Sequence, residues 1–187
     1  YIICLLSLCF SLDLSDSDIY DNSWALIVGI NKYENVRPLH YATEDAIAVK
    51  NMLINDFGFL RSNVNVLLNN EATQNNIKKQ LDALVRSAKD NDRVIFYFAG
   101  HGMTETLGLE GMDMGFLLPV EGKEENLYLT AIPMDELKRI SNRSKAKHML
   151  FLVDACYGGL AAQNTRSLVN SDIPNYIEKI SNEFSRQ

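Results

Sequence analysis

The sequence predicts an α/β fold, a three-layer α/β/α sandwich on a mostly parallel sheet. Apolar, β-branched runs recur along the chain, as in WALIVGI (24–30), VNVLL (64–68), RVIFYFA (93–99) and MLFLVDA (149–155). Strands with so little polar alternation belong to sheets covered on both faces. Segments with apolar residues at helical spacing lie between them. The regular alternation of the two patterns implies a parallel sheet between helical layers.

The elements follow in order. Tyr1 to Phe10 is almost wholly apolar and then gives way to a Ser- and Asp-rich stretch. It reads as the apolar part of a signal peptide over residues 1–11, with 12–22 as a linker. On that reading the protein is exported, periplasmic or secreted; without a leader it is cytoplasmic. The run is too short to span a bilayer. The chain starts without Met or a basic flank, so it is expected to be truncated at this end. WALIVGI, closed by Gly29 and Asn31, is the first strand. Ala46, Val49 and Leu53 mark a helix over 43–55, with Thr43 as its expected N-cap. VNVLL is the second strand. Thr73 can cap a helix whose Ile77, Leu81, Leu84, Val85 and Ala88 share one face. RVIFYFA is the third strand, a short helix lies near 133–141, and MLFLVDA is the fourth strand. The catalytic domain is expected over 23–161. Residues 162–187 read as a polar linker, with Arg166 as a candidate self-processing site. Tyr176, Ile177, Ile180 and Phe184 then suggest a further helix.

Composition narrows the function. The 187 residues are 47% hydrophobic and 22% charged, with net charge −6 and pI about 5.1. No basic stripe is present, so nucleic acid is not an expected partner. Cys4 and Cys9 lie in the apolar leader, which leaves Cys156 alone in the folded body. It has no internal disulfide partner there, and is either a small buried hydrophobe or a reactive thiol. His40 and His148 lack the paired spacing of a zinc site. GINKYENV lacks the glycines of a dinucleotide loop.

The chemistry is expected beyond the carboxyl ends of the strands, where open α/β sheets place their sites. The third strand ends in Ala99-Gly100-His101-Gly102, whose glycines let backbone approach a substrate closely. The fourth ends in Asp154-Ala155-Cys156-Tyr157-Gly158-Gly159. If these strands are neighbours, a thiol and an imidazole meet, which is the minimum apparatus for acyl transfer. His101 is then the base for Cys156 and later the acid for the leaving amine. The amides of Gly102 and Cys156 are the candidate oxyanion hole. No third member of a triad is evident. Taken singly, a lone Cys at a strand end is more often packing and a lone Gly-His-Gly more often a turn.

Taken together, WALIVGINKY, EDA at 44–46, FYFAGHG at 96–102, GFLLP at 115–119 and VDACYGG at 153–159 resemble the caspase superfamily, in its metacaspase-like or bacterial branch. The resemblance spans about Trp24 to Leu160. It implies a caspase-like fold, a His101–Cys156 dyad and the oxyanion hole just described. Caspases carry the His roughly 50 residues before the Cys; here residue 101 precedes residue 156 by 55 positions. Animal caspases have Gln two places before the nucleophile, where this chain has Asp154. Metacaspases line the specificity pocket with acidic residues, and the matching positions are Asp45 and Asp154. Two carboxylates in a cleft attract Arg or Lys and repel Asp. The expected function is therefore a cysteine endopeptidase acting on protein substrates with Arg or Lys at the cut.

A catalytically silent caspase-fold interaction module and a legumain-like peptidase of the same clan are the alternatives. No cofactor is required. Related metacaspases bind calcium through acidic residues, and Glu105, Glu110 and Asp113 fall in a polar loop after His101. Their positions do not match well enough to assign a calcium site. In the family two more core strands follow, so the chain is expected to be incomplete at its C-terminus. The sequence does not determine oligomeric state.

Overall fold

In a computed structural model, the described residues are 19–107 and 112–156, with Leu107, Met112 and Cys156 described by backbone alone. Helix spacing and strand runs translate into β1 (Ser23–Gly29), α1 (Ala42–Asn55), β2 (Val64–Leu68), α2 (Gln74–Ser87), β3 (Arg93–Leu107) and β4 (Met112–Leu117). They continue as α3 (Leu127–Thr130), β5 (Ile132–Pro133), α4 (Met134–Ser141) and β6 (His148–Cys156). The six strands form one sheet. β2, β1, β3 and β6 are parallel neighbours in that order, while β4 and β5 extend the sheet antiparallel.

The two-residue alternation of the strands sorts their side chains into two cores. Leu26, Val28, Val94, Phe96 and Phe98 face one way and pack against Ile77, Leu81, Leu84 and Val85 of α2 and Leu137 and Ile140 of α4. Ala25, Ile27, Tyr97 and Ala99 face the other way and pack against Ala42, Ala46 and Leu53 of α1. This is the expected α/β/α layering. The α1 layer lies very close to the sheet. A Cβ on Gly29 would fall 2.6 Å from both the Ala42 carbonyl oxygen and the Ala46 Cβ. Glycine is therefore required at the end of β1 for the start of α1 to sit where it does. Among the described residues, α1 leaves the same face of β6 bare, and Leu150 and Leu152 are exposed there.

Three expectations are corrected. Thr43 is not the N-cap of α1. That position is Tyr41, and Thr43 lies in the first turn, where its hydroxyl bonds Glu44 and Asn31. Thr73 does cap α2, accepting from the Asn76 N–H at 3.2 Å. The third strand does not end at Ala99-Gly100-His101-Gly102. It runs for 15 residues through that segment. The region after His101 is consequently no loop as far as it is described: Glu105 belongs to β3 and Asp113 to β4. The reason is an exchange of neighbours. The Ala99 carbonyl accepts from the Ile30 N–H, and the His101 carbonyl accepts from the Leu118 N–H, each at 3.0 Å. Alternate residues point their backbone groups to the same side, so β1 and then the β4 chain occupy successive stretches of one edge of β3. The backbone bonds lost where β1 leaves are replaced two residues on, and no turn is needed.

At the opposite end of the sheet, Asp92 is fully buried. Its carboxylate accepts from the Lys89 N–H at 2.9 Å and from Trp24 Nε1 and Asn22 Nδ2 at 3.0 Å. Burial pushes its pKa up, but these donors together outweigh burial and hold the carboxyl below its usual range. A depressed folded-state pKa stabilises the fold above the unfolded value of about 3.9, and that stability is lost as pH falls through the folded value. Urea unfolding followed from pH 6 to pH 2 should show stability falling below about pH 4. Asp92→Asn should flatten that fall and cost about 1–3 kcal/mol at pH 6, since three donors lose a charged acceptor.

Candidate active site

The site is built where β3 changes neighbours. β3 and β6 run parallel from Arg93 opposite His148 to His101 opposite Cys156. The two residues proposed from sequence to act together are thus adjacent across one strand pair. His101 is 9% exposed and is held from three directions. Its backbone N–H donates to the Tyr33 hydroxyl at 2.8 Å. Its carbonyl is taken by Leu118. Its ring Nε2 lies 2.9 Å from the Arg37 carbonyl oxygen. A carbonyl only accepts, so Nε2 carries the proton, and in the neutral ring Nδ1 keeps a free lone pair. The Tyr33 ring leans on the imidazole with centroids 4.8 Å apart.

Tyr33 explains Gly100. A Cβ there would fall 2.5 Å from the Tyr33 hydroxyl and 3.0 Å from the Phe98 ring. The glycine before His101 is needed for close approach of this hydroxyl, rather than for a turn. Burial pushes the Tyr33 pKa well above its ordinary range, so the hydroxyl stays protonated and neutral at working pH.

Tyr33 and Arg37 both belong to the segment between β1 and α1, which is pinned by side-chain amides. Asn69 Oδ1 accepts from the Asn31 and Lys32 N–H groups at 2.9 and 3.0 Å. Asn69 does so from a left-handed backbone with φ of 47°. Asn31 in turn donates to Thr43 Oγ1 and Glu44 Oε2 at 2.6 and 3.0 Å. The far side of the segment is tied by Glu34 N–H to the Val120 carbonyl and by Asn35 Nδ2 to the Glu121 carbonyl, each at 2.9 Å. Arg37 precedes Pro38, which confines it to extended backbone.

Asp45 and Asp154 are both exposed, Asp45 in the first turn of α1 and Asp154 on β6 opposite Ala99. Tyr97 lies between them on the α1 side of the sheet. Burial first, and then the nearby Asp154 and Asp45 charges, push the pKa of its hydroxyl up to about 12. Among the described residues neither carboxylate has a cationic partner. Gly102 is one residue past the last β3–β6 pair, and by alternation its N–H lies on the β6 edge. His40 is exposed, and His148 sits at the far end of β6 bonded to the Tyr20 hydroxyl at 2.9 Å. Thr106 donates to Asp113 at 2.7 Å, and Glu105 Oε2 is buried without a hydrogen-bond partner among the described residues. No group of three His, Cys, Asp or Glu side chains able to hold a metal occurs among the described residues. Glu110, Arg166, Cys4, Cys9, the leader and the 162–187 segment lie outside the described residues.

Sequence reasoning proposed His101, Cys156 and the two carboxylates but did not anticipate the contacts of Tyr33, the Arg37 carbonyl and Asn69. Tyr33 stood within the GINKY run, and Arg-Pro at 37–38 signalled a fixed carbonyl. Nothing local says which ring either meets, because the contacts cross more than 60 residues. Removing the Tyr33 hydroxyl leaves a buried N–H unpaired, so Tyr33→Phe should lower unfolding stability by about 1–3 kcal/mol in urea titration. Asn69 should rank Asn, then Gly, then Ala in stability. Gly keeps the left-handed backbone but loses both acceptances, and Ala loses both features.

The caspase-domain family model matches residues 22–183. Metacaspase-1 of Eremothecium gossypii is 28% identical over 165 residues, covering 81% of this chain and 35% of that protein. Metacaspase-2 of Arabidopsis thaliana is 30% identical over 154 residues, covering 75% of this chain and 35% of that protein. A crystal structure of a Geobacter sulfurreducens protein has the same fold, with a TM-score of 0.62 at 18% identity, over 75% of this chain and 53% of that one. The chain spans about a third of the length of the curated relatives it matches. With the motifs, the sheet and the family match in agreement, the chain belongs to the caspase-domain family.

Proposed function

We propose that the full protein is a cysteine endopeptidase in which Cys156 is the nucleophile and His101 its base, cutting after Arg or Lys. One observation carries the reading: the β3–β6 register sets His101 beside Cys156 while Nε2 is tied to the Arg37 carbonyl. That tie leaves Nδ1 as the nitrogen able to take the thiol proton. The thiolate sulfur then bonds the substrate carbonyl carbon, and the carbonyl π electrons move to oxygen. The Gly102 and Cys156 amides hold that oxyanion. His101 returns the proton to the leaving amine as the C–N bond breaks, giving a thioester. Water, deprotonated by His101, attacks the thioester and releases acid and thiol.

Asp45 and Asp154 support the substrate preference. They are two exposed carboxylates near one hydroxyl, without a cationic partner among the described residues. A substrate Arg or Lys supplies the missing charge, whereas a substrate Asp puts like charges together. The difference is on the order of 2–5 kcal/mol, or roughly 30-fold to several thousand-fold in rate.

Fluorogenic peptides differing only in the residue before the cut provide the test on the full-length protein. Arg and Lys peptides should be cleaved and the Asp peptide should not. Cys156→Ala should abolish cleavage and His101→Ala should cost several orders of magnitude. Full activity in Cys156→Ala would remove the nucleophile, and preferential cleavage after Asp would remove the pocket. A folded wild-type protein that cleaves none of the peptides would favour the silent interaction module.

A further inference from the structure

The chain that follows β4 is fastened on three sides. The Leu118 N–H donates to the His101 carbonyl at 3.0 Å. Two residues on, the Val120 N–H donates to the Ala72 carbonyl at 3.1 Å, and the Val120 carbonyl accepts from the Glu34 N–H at 2.9 Å. Glu121 is engaged through both its backbone and its side chain. Its carbonyl accepts from Asn35 Nδ2 at 2.9 Å, and its Oε1 accepts from the Gln74 N–H at 2.8 Å. Gln74 is the first residue of α2, and its own Nε2 donates to the Ala131 carbonyl at 2.7 Å. Glu121 therefore joins the start of α2 to the segment that carries Tyr33 and Arg37.

The carboxylate stands there at a cost. Its second oxygen, Oε2, is buried without a hydrogen-bond partner among the described residues, and none of the ion pairs among those residues includes it. A buried acceptor left unpaired is unfavourable, so the contact made by Oε1 has to outweigh it. A negative charge at the first turn of a helix also meets the positive end of the helix dipole. The end of α2 is already capped locally by the Thr73 hydroxyl. What Glu121 adds is a tie from α2 to the turn after β4. That turn is itself tight. The Gly122 N–H donates to the Pro119 carbonyl at 2.9 Å, and a Cβ on Gly122 would fall 2.5 Å from Leu118 Cδ1.

We propose that Glu121 is a positioning residue for the His101 ring: its carboxylate anchors the 119–122 turn on α2, and the turn holds Glu34 and Asn35 so that the Arg37 carbonyl stays on Nε2. The inference rests on the reading of His101 as the base and adds the group that fixes its acceptor from a second side. Asn69 clamps the start of the segment at Asn31 and Lys32, and the Glu121 turn clamps its middle, two residues before Arg37. When Nε2 loses its acceptor, the ring proton is free to sit on Nδ1, the nitrogen that must take the proton of the thiol. A displacement of about 1 Å is enough to cost roughly 100-fold in rate.

The test uses the full-length protein with Glu121→Ala, Glu121→Gln and Asn35→Ala. Nitrogen NMR of the His101 ring, at a pH where the ring is neutral, reads the tautomer, and an Arg peptide gives kcat and KM. The wild type should hold the proton on Nε2. Glu121→Ala should show a mixture of tautomers, with kcat down at least about tenfold and KM within about twofold. Glu121→Gln keeps an acceptor for the Gln74 N–H and should retain the wild-type tautomer and at least about a third of kcat. Asn35 is exposed, so Asn35→Ala tests the same tie without opening the core, and it should shift the tautomer in the same direction. Combining Glu121→Ala with Asn35→Ala should cost less than the product of the single losses, because both act through one turn. An unchanged tautomer in Glu121→Ala, a loss of urea stability without a loss of kcat, or losses that multiply in the double variant overturns the role of Glu121. If Glu121→Ala does not fold, a wild-type tautomer in Asn35→Ala overturns it. Full cleavage activity in His101→Ala overturns the base reading instead, and the tautomer then decides Glu121.

Discussion

The parallel pairing of β3 with β6 is the constraint on which the rest of the site depends. His101 and Cys156 are 55 positions apart in sequence, and only the register that sets Arg93 against His148 makes them neighbours. Side chains alternate along a strand with a period of two, so a slip of one residue would turn every β6 side chain to the other layer. Met149, Phe151, Val153 and Ala155 pack into the α2–α4 core, and that burial fixes the register. The same packing assigns the other parity, including Asp154, to the α1 side. The apolar pattern of β6 thus sets the strand positions of Cys156, the proposed nucleophile, and of Asp154 at once.

His101 needs more than a register, because its ring must be aimed. The segment from Ile30 to Tyr41 does this. It leaves β1, is clamped by Asn69 and Asn31, and returns to α1 at a close approach that only Gly29 allows. Along the way it presents the Tyr33 hydroxyl to the His101 N–H and the Arg37 carbonyl to Nε2. Both are neutral partners in a buried place, so they orient the ring without the desolvation cost of an added charge. The charged groups are kept outside, on the α1 side of the sheet, where Tyr97 separates the hydrophobic layer from the exposed carboxylates.

Much of this was legible in the sequence, for identifiable reasons. β1 shows as an apolar run because it is buried on both faces, β2 and β6 show as apolar runs although alternate residues such as Leu150 and Leu152 are exposed, and Thr73 shows because capping is a local interaction. His101 and Cys156 were legible through strand ends and motif, and the sheet then made them neighbours. The course of β3 beyond Ala99 was not legible. Two glycines flanking a histidine look like a turn, and only the replacement of β1 by the β4 chain along one edge lets the strand continue. Thr43 misled because a threonine ahead of a helical pattern is a good cap by type, while Asn31 engages its hydroxyl from 12 residues away. Tyr33, Arg37 and Asn69 were hidden because their roles depend on contacts set by tertiary structure.

We propose that the His101 imidazole, tied at Nε2 to a backbone carbonyl, serves as the base for the cysteine beside it. The most direct measure of that role is the pH dependence of iodoacetamide labelling at Cys156, read by mass spectrometry of the peptide that carries it. In the full-length wild-type protein the labelling midpoint should lie at least about one pH unit below the ordinary thiol value of about 8.5, and His101→Ala should return it there. Superimposable curves for the wild type and His101→Ala would contradict the role of His101 as base.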